Sequence, residues 1–252
     1  MNSGSRTEKT IKKKKRRKKR YLLRFIILLI TCIALYFVLH IEYFLIDGIT
    51  VAGNKAISDK EIIELSKIKV GDNIFDAHPL RAQRKIKENL YIEDVDVNRL
   101  LPNRIEIVVK ERMGEAQFAK GKKMVITDKE GLVLEITEQE QQATYVENVK
   151  VKKARLDKPI EVEETAVYDK AMILITAAGE GDLFFKKLNI EGNEVNAYVY
   201  DKLVCKGKYE EVLNVIKSGA LKAVIFDLYQ KDIESGIINI GSNNYCSFTP
   251  QK

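Results

Sequence analysis

A run of apolar residues near the N-terminus constrains this chain more than any other feature. The fifteen residues Phe25–Leu39 carry no charge. A helix rises about 1.5 Å per residue and a bilayer core is about 30 Å thick, so about 20 such residues are needed to cross it. The run Leu22–Ile41 has that length if the long side chain of Arg24, its one charged residue, extends back to the interface. We therefore predict a transmembrane helix at residues 21–45.

Two other interpretations of this run compete with a permanent anchor. A cleaved signal peptide has an apolar core of roughly 7 to 15 residues followed by small residues, whereas bulky residues occupy positions 40–45 here. A buried helix of a soluble domain is disfavoured because nine consecutive Lys and Arg residues, Lys12–Arg20, directly precede the run. A permanent anchor therefore agrees best with the sequence.

The basic segment also indicates how the anchor is oriented. Lys and Arg are enriched on the cytoplasmic side of membrane helices. Residues 1–20 are thus predicted to be a disordered cytoplasmic tail, and the residues after Ile46 to be extracytoplasmic. The whole chain has a net charge of +7, but residues 1–24 hold twelve Lys and Arg and one Glu, which leaves −4 for the remainder. Basic runs also mark nucleic-acid sites, but beside an apolar helix topology and anionic headgroups explain them better, and we expect no nucleic-acid partner.

The cysteines and histidines do not predict an active site. Cys32 lies within the apolar run, while Cys205 and Cys246 could pair in an oxidising compartment or stay as free thiols. His40 lies at the membrane boundary, and His78 precedes a predicted helix, where an exposed position is favoured. The sequence has no zinc-ligand spacing, nucleophile elbow or Gly-rich phosphate loop. We predict that the protein is not an enzyme and uses no cofactor, metal or small-molecule substrate.

The residues after the apolar run predict a compact β-α-α-β-β unit. Ile46–Val51 is predicted to be a strand. Ser58 and Glu61 have the spacing of a capping box at the start of one helix, and Pro79 suits the first turn of a second. Alternating apolar residues on both sides of the turn at 100–103 then predict a β-hairpin with one buried face. These residues are Val95 and Val97 before the turn and Ile105, Ile107 and Val109 after it.

Four segments of this unit carry a resemblance to a known family. They are Ile49–Asn54, Gly71–Phe75, Tyr91–Val97 and Leu101–Arg112, of which the last is the most specific. Together with the anchor, they resemble the POTRA domain of the FtsQ/DivIB family of bacterial cell-division proteins. The resemblance implies a bitopic membrane scaffold of the septum-building machinery, located at the division septum. It also implies partners, namely single-span proteins of the FtsL and FtsB/DivIC type and other divisome proteins.

The rest of the chain is predicted to complete an α+β protein. A POTRA-like domain at 46–114 is followed by a β-rich α+β domain at 115–248 and a short tail at 249–252. Within the second domain a hairpin is expected at 124–136 and a strand at 197–204. The apolar, β-branched run Ala223–Leu228 is predicted to be a strand, and Ile237–Ile240 the last strand of the chain.

These two C-terminal strands are the predicted partner-binding surface. An exposed strand edge can accept a strand from a partner, and the resemblance places partner contact in this domain. The segment Phe226–Tyr229 falls where the family carries an apolar-Asp-Leu signature, with Tyr229 in place of a basic residue. Asp227 is either a carboxylate at the solvent edge of the sheet or an oriented group at a partner-binding edge. The candidate partner-binding residues are Val224, Phe226, Asp227, Leu228, Tyr229, Ile237, Ile238 and Ile240.

Other functions predict different features. A POTRA-type chaperone or protein-secretion component is the main alternative, but such proteins usually carry repeated POTRA units or a β-barrel, and only one unit is evident here. An anchored hydrolase would show activity in residues 47–252. On the scaffold hypothesis, charge or proline substitutions in Ala223–Leu228 or Ile237–Ile240 are expected to abolish partner capture.

Overall fold

The computed structural model describes the backbone of residues 4–250 and the side chains from Tyr21 onward. The predictions for residues 1–3 and 251–252 lie outside this part of the chain. The fold is mixed α+β, as predicted, and divides into two compact units, Met1–Glu111 and Arg112–Lys252.

Helix α1 spans Gly4–Leu39 and contains the apolar run. Residues Tyr21–Leu39 have a mean hydropathy of 2.7 and none of them is classed as buried, so length and composition suit a membrane span. The helix also includes the basic residues up to Arg20, for which the sequence predicted disorder. Lys and Arg are good helix formers, so this segment continues the helical backbone of the apolar run.

The remainder of the first unit has the predicted β-α-α-β-β order. A short 3₁₀ turn at Glu42–Phe44 follows α1. Strand β3 lies in the middle of a three-stranded sheet, with β1 parallel to it on one side and β2 antiparallel on the other. The elements are β1 (Gly48–Ala52), α2 (Asp59–Ser66), α3 (Pro79–Ile86), β2 (Ile92–Leu100) and β3 (Arg104–Glu111).

Local signals in the sequence position the two helices of this unit. The Ser58 side chain accepts a hydrogen bond from the Glu61 N–H at 3.3 Å, which caps α2. Lys67 adopts a left-handed conformation that ends this helix. The buried residues of both helices pack with the hairpin residues into one core. Its fully buried members include Ile62, Ile74, Ile86, Ile105 and Ile107.

The end of β3 is tied to the loop before α2 by a carboxylate. Glu111 accepts hydrogen bonds from the N–H groups of Ala56 at 2.8 Å and Ile57 at 3.0 Å. Partial burial works to raise the pKa of the Glu111 carboxyl group, but these N–H groups outweigh it and the pKa lies below its ordinary value. The ionised form of Glu111 therefore stabilises the first unit.

The second unit is built on a nine-stranded sheet, with three helices packed on one face. Its strand order is β14-β13-β12-β11-β10-β7-β4-β5-β6, and β8 and β9 form a separate pair. The strands are β4 (Ala116–Lys120), β5 (Lys123–Thr127), β6 (Val133–Thr137), β7 (Thr144–Val146), β8 (Val151–Lys153), β9 (Glu161–Val162), β10 (Lys187–Glu191), β11 (Glu194–Tyr198), β12 (Lys202–Lys208), β13 (Ser235–Ile240) and β14 (Cys246–Pro250). The helices are α4 (Thr165–Glu180), α5 (Tyr209–Lys217) and α6 (Ala220–Gln230).

The two faces of this sheet differ in burial. Leu188, Ala197 and Cys205 lie side by side on β10, β11 and β12 and are fully buried in one core with residues of the three helices. Their neighbours along the strands, among them Lys187 and Lys206, point to the opposite face and are more exposed. The hairpin predicted at 124–136 is present as β5 and β6, whereas the strand predicted at 197–204 is two strands joined by a turn.

The prediction of a strand at Ala223–Leu228 is wrong, because these residues belong to α6. A short apolar run does not distinguish a buried strand from a buried helix by periodicity. Leu228 follows Leu221 by seven positions, which is about two helical turns, so both side chains lie on one face of α6. Both are buried in the core. Gly219, with φ of 75°, separates α6 from α5.

Candidate partner-binding edge

Strand β14 provides a sheet edge near the C-terminus of the chain. It pairs antiparallel with β13 from Gly236↔Pro250 to Ile240↔Cys246. Within the described residues no strand pairs with its other side, so β14 ends the strand order. The prediction that Ile237–Ile240 is the last strand is therefore wrong, since β14 follows it and covers it. At the opposite end, part of β6 is bonded to residues 157–159.

The hydrogen-bond pattern shows which backbone groups of β14 face outward. In an antiparallel pair, residues that bond to the neighbouring strand alternate with residues that do not. The Gly241 N–H donates to the Tyr245 carbonyl at 2.8 Å, so Tyr245 faces β13. It follows that Ser247 and Thr249 also face β13. The N–H and C=O groups of Cys246 and Phe248 then point away from the sheet, available to another strand.

A tight turn places β14 beside β13. The Tyr245 N–H donates to the Ser242 carbonyl at 3.3 Å. The two residues between them, Asn243 and Asn244, have φ of 58° and 57°. Positive φ at both central positions is the feature of a type I′ turn, the type that suits a hairpin, and Asn tolerates it. The Asn-Asn pair is thus a sequence signal for the turn that leads into β14.

A close contact between Gly236 and Phe248 fixes how β14 lies on β13. Gly236 has φ of 147°, and a Cβ atom built on it would lie 2.4 Å from Cε2 of Phe248 and 2.8 Å from the Thr249 carbonyl oxygen. Only glycine leaves room for the aromatic ring at this position. The Phe248 side chain is half-buried against the core of the unit. Side-chain packing therefore supplements the backbone ladder of the edge strand.

The eight predicted partner-binding residues divide into accessible and buried ones. Leu228, Ile238 and Ile240 lie in the core with exposures of 4%, 0% and 6%, so a partner cannot reach them in the folded unit. Ile237 lies on the opposite face of the sheet from Ile238 and is half-buried, as is Val224 on α6. The exposed members all lie on α6. They are Phe226, Asp227 and Tyr229.

Asp227 lies on a helix and not at the edge of a sheet. Its carboxylate is 2.6 Å from the Lys231 ammonium group one helical turn later. Both side chains are more than half exposed, so the pair contributes little to stability. Phe226 and Tyr229 are three residues apart, which places them on one face of α6. Both are about three-fifths exposed, an unusual position for two large aromatic side chains.

The two cysteines of this unit are separated by a strand. Cys205 pairs with Ile238 and Cys246 with Ile240, so β13 lies between the two thiols. Two strand spacings amount to about 9–10 Å, beyond the roughly 7 Å between Cα atoms that a disulfide can bridge. Burial, with a smaller effect of Cys246, raises the pKa of the Cys205 thiol to about 12. Both cysteines are free thiols in the structure.

A groove of about 950 Å³ opens at one end of the central strands of this sheet. Tyr145, Lys187 and Tyr198 lie side by side across β7, β10 and β11, and the Lys187 ammonium group is 4.2 Å from the centre of the Tyr198 ring. At the rim, a hydrogen bond between Lys186 and Asp201 raises the pKa of the lysine and lowers that of the carboxyl group. Three basic and three acidic side chains line the groove, so it has no net charge with which to select a charged ligand.

Comparison with known proteins relates the first unit to a defined domain family. Residues 44–112 match the family model described as the POTRA domain, FtsQ-type. This range contains β1 to β3 together with α2 and α3, so the match covers the observed β-α-α-β-β fold.

Several curated proteins are similar to part of the chain. The cell division protein DivIB of Clostridium acetobutylicum is 41% identical over 105 residues, which cover 42% of each chain. DivIB of Bacillus subtilis is 34% identical over 76 residues, covering 30% of this chain and 29% of the relative. The cell division protein FtsQ of Syntrophotalea carbinolica is 33% identical over 87 residues, covering 34% and 31%. The chain thus matches less than half the length of each of these relatives. These comparisons show that the chain contains a POTRA domain of the FtsQ type and that part of the chain is similar to cell division proteins named DivIB and FtsQ.

Proposed function

We propose that this protein is a single-pass cell-division scaffold that recruits or stabilises septal-assembly partners through its extracytoplasmic units. The relatives it matches are named as cell division proteins. Within the described residues, no group of three or more His, Cys, Asp or Glu side chains is placed to hold a metal ion. We assign the function to a surface, and the edge of β14 is the observation that supports this proposal.

The orientation follows from the charge beside the anchor. The nine basic residues Lys12–Arg20 precede the span Tyr21–Leu39, and such segments stay in the cytoplasm. The N-terminus is then cytoplasmic, and the POTRA domain and the second unit are outside, at the division septum. The family resemblance suggests partners of the FtsL and FtsB/DivIC type, which are anchored in the same membrane.

The chemistry of the edge suits an extended segment of such a partner. Cys246 and Phe248 offer outward N–H and C=O groups, and Pro250 offers a further carbonyl but no N–H. A strand added here would gain backbone hydrogen bonds, while alternating pockets for its side chains would give specificity. We place this added strand beside β14, with Phe226 and Tyr229 of α6 as accessible aromatic contacts for the rest of the partner.

A proline substitution at Cys246 tests this edge directly. Cys246→Pro removes an outward N–H, and because this N–H does not bond to β13, the internal ladder stays intact. The affinity for a purified FtsL- or DivIC-type ectodomain is expected to fall at least about tenfold. A tenfold change corresponds to roughly 1.4 kcal/mol, which one lost hydrogen bond and the steric block by the proline ring can supply. Cys246→Ala is the matched control, because it removes the thiol and keeps the N–H. Equal capture by both variants would move the interface away from β14.

Cell biology separates the proposal from the chaperone alternative. Depletion is expected to give filamentous cells with unfinished septa, and a fluorescent fusion is expected at the septum. Uniform membrane fluorescence with normal division would contradict a role in division and favour a chaperone or secretion component.

A further inference from the structure

The loop between α2 and α3 is bonded directly to the end of the membrane-span helix. The Asn73 side chain donates to the carbonyl of Leu39, the last residue of α1, at 2.9 Å. The Ile74 N–H donates to the Phe44 carbonyl at 2.9 Å, and the Gly71 N–H to the Ile46 carbonyl at 2.8 Å. Residues 71–74 therefore lie within hydrogen-bond distance of the segment that leaves the membrane.

The β2–β3 turn lies at the same end of the POTRA domain. The Asp47 N–H donates to the Asn103 carbonyl at 2.9 Å. The Arg99 guanidinium group donates to the carbonyls of Phe75, at 3.3 Å, and Ala77. These bonds join the turn to the loop before α3 and to the residues that follow the span. Both segments thus form one surface next to the exit of α1.

Exposed apolar side chains are concentrated on this surface. Five large apolar side chains of residues 45–112 are exposed, and four of them lie on or beside these two segments. Val70 lies within the α2–α3 loop, Leu80 lies in the first turn of α3 with 73% exposure, and Leu100 and Leu101 lie at the β2–β3 turn. The fifth, Val108, lies four residues further along β3, about 13 Å from the turn. Apolar groups gathered at one end of a small domain indicate an interaction site.

Basic side chains are concentrated there as well. Residues 67–87 contain six Lys and Arg and two Asp, whereas the rest of 44–112 contains six Lys and Arg and ten Asp and Glu. Lys67, Arg81 and Lys85 line one groove of about 430 Å³, together with the carboxylates of Asp72 and Asp76. The Lys85 ammonium group also pairs with the Glu88 carboxylate at 2.7 Å, which leaves Lys67 and Arg81 as the main cations of the groove. Asp76 lies 3.6 Å from the His40 ring beside the span. Residues 67–87 are therefore net positive, while the rest of the domain is net negative.

We propose that the POTRA domain docks on the bilayer that holds its anchor. Val70, Leu80 and the β2–β3 turn enter the interface, and the cluster of Lys67, Arg81 and Lys85 meets the phosphates of anionic lipids. The occupant is a lipid surface because hydrogen bonds to the residues that leave the span hold this end of the domain at headgroup level. This inference rests on the assignment of Tyr21–Leu39 as a membrane span. Docking would set the distance and direction at which the rest of the protein meets its partners.

The absence of tryptophan from the chain allows a direct test. Full-length Leu80→Trp is reconstituted into phosphatidylcholine vesicles and into vesicles of equal parts phosphatidylcholine and phosphatidylglycerol, each with acyl-chain-brominated lipid as a quencher. The single tryptophan is expected to be quenched and to shift to shorter wavelength, more strongly with phosphatidylglycerol. Val108→Trp, an exposed apolar position on the same domain, is expected to show neither effect.

Charge variants test the electrostatic part of the proposal. Each basic residue near an anionic bilayer contributes about 1 kcal/mol, so Lys67→Gln with Arg81→Gln should lower the ratio of docked to released domain roughly 30-fold. Lys55→Gln with Lys60→Gln, two lysines outside residues 67–87, is the matched control and should leave the ratio unchanged. High salt should act like the first pair, because it screens exposed charges.

A reporter in the span separates the possible failures. Quenching of Leu29→Trp without quenching of Leu80→Trp would refute docking and leave the anchor intact. Lack of quenching at Leu29→Trp would refute both the anchor and the docking that rests on it. A change in the tryptophan fluorescence of Leu80→Trp on addition of a partner ectodomain, without quenching by brominated lipid, would assign this surface to a protein partner and overturn the proposal.

Discussion

Replacing Gly236 with alanine is expected to separate β14 from β13. The new Cβ atom would lie 2.4 Å from Cε2 of Phe248, 2.6 Å from Cζ of the same ring and 2.8 Å from the carbonyl oxygen of Thr249. An ordinary carbon–carbon contact is about 3.5–4.0 Å, so the ring must retreat by more than about 1 Å. The carbonyl belongs to the backbone of β14, and moving it breaks the ladder with β13.

Two terms set the size of the effect. An L-residue at φ of 147° adopts a backbone conformation that costs about 1–3 kcal/mol. Forcing extra volume into a packed contact costs about 1–3 kcal/mol more. The total, about 2–6 kcal/mol, corresponds to an increase of roughly 30-fold or more in the opening equilibrium of the β13–β14 pair.

Hydrogen–deuterium exchange of residues 235–250 in the purified full chain measures this opening. Gly192→Ala is the matched control, because Gly192 also has positive φ, 62°, but no heavy atom lies within 4 Å of the added Cβ. This control substitution should destabilise the β10–β11 turn by about 1–2 kcal/mol and leave the hydrogen–deuterium exchange of residues 235–250 unchanged. Phe248→Ala introduced into the Gly236→Ala variant should restore part of the protection, since it removes the ring. Unchanged exchange at residues 246–250 in Gly236→Ala would refute the packing argument.

Two further substitutions and one mass-spectrometric measurement test the core, the Glu111 contact and the thiols. Ile107→Asp should unfold the first unit, because it places an unpaired charge at a fully buried site at a cost of several kcal/mol. Val108→Asp, on the exposed face of the same strand, is the control and should leave the unit folded. Circular dichroism distinguishes the two outcomes. Glu111→Gln should destabilise this unit by about 1–2 kcal/mol at neutral pH. Folding lowers the pKa of Glu111. The difference in the free energy of unfolding between Glu111→Gln and the parent chain should therefore shrink as the pH falls below the pKa of the unfolded state, about 4.3. Mass spectrometry without reductant should find Cys205 and Cys246 as free thiols, and a bridged peptide would contradict the strand order.

The first unit could be predicted from sequence because its signals are local. The capping spacing at Ser58, the proline at the start of α3 and the alternation across the β2–β3 turn each specify one element without long-range information. Burial then confirms the pattern, since Ile105, Ile107 and Val109 face the core and Val108 does not. The hairpin of β5 and β6 in the second unit was predictable for the same reason.

The candidate site was harder to predict because its elements depend on tertiary contacts. Ala223–Leu228 has the composition of a buried strand, but it lies in a helix that packs Leu221 and Leu228 against the core. The free edge was missed because β14 contains Ser, Thr and Pro and is only partly buried. Its hairpin turn has the residue pair such turns favour, so the sequence did contain a usable signal.

The limited length of the free edge has a consequence for how partners bind. Cys246 and Phe248 together offer two outward N–H groups and two carbonyls, and at about 1 kcal/mol each these hydrogen bonds amount to about 4 kcal/mol, a millimolar affinity. Pro250 cannot extend the row of donors, which also protects the edge from indiscriminate pairing. The proposed capture by β14 would therefore need side-chain contacts beyond the edge and partners held in the same membrane. Confinement to one membrane can increase the effective affinity by a factor of about 10²–10⁴ without any new contact, provided that the geometry allows both contacts at once.

Docking of the POTRA domain on the bilayer would restrict that geometry. The basic surface beside the anchor and the edge of β14 are therefore expected to act on the same binding equilibrium.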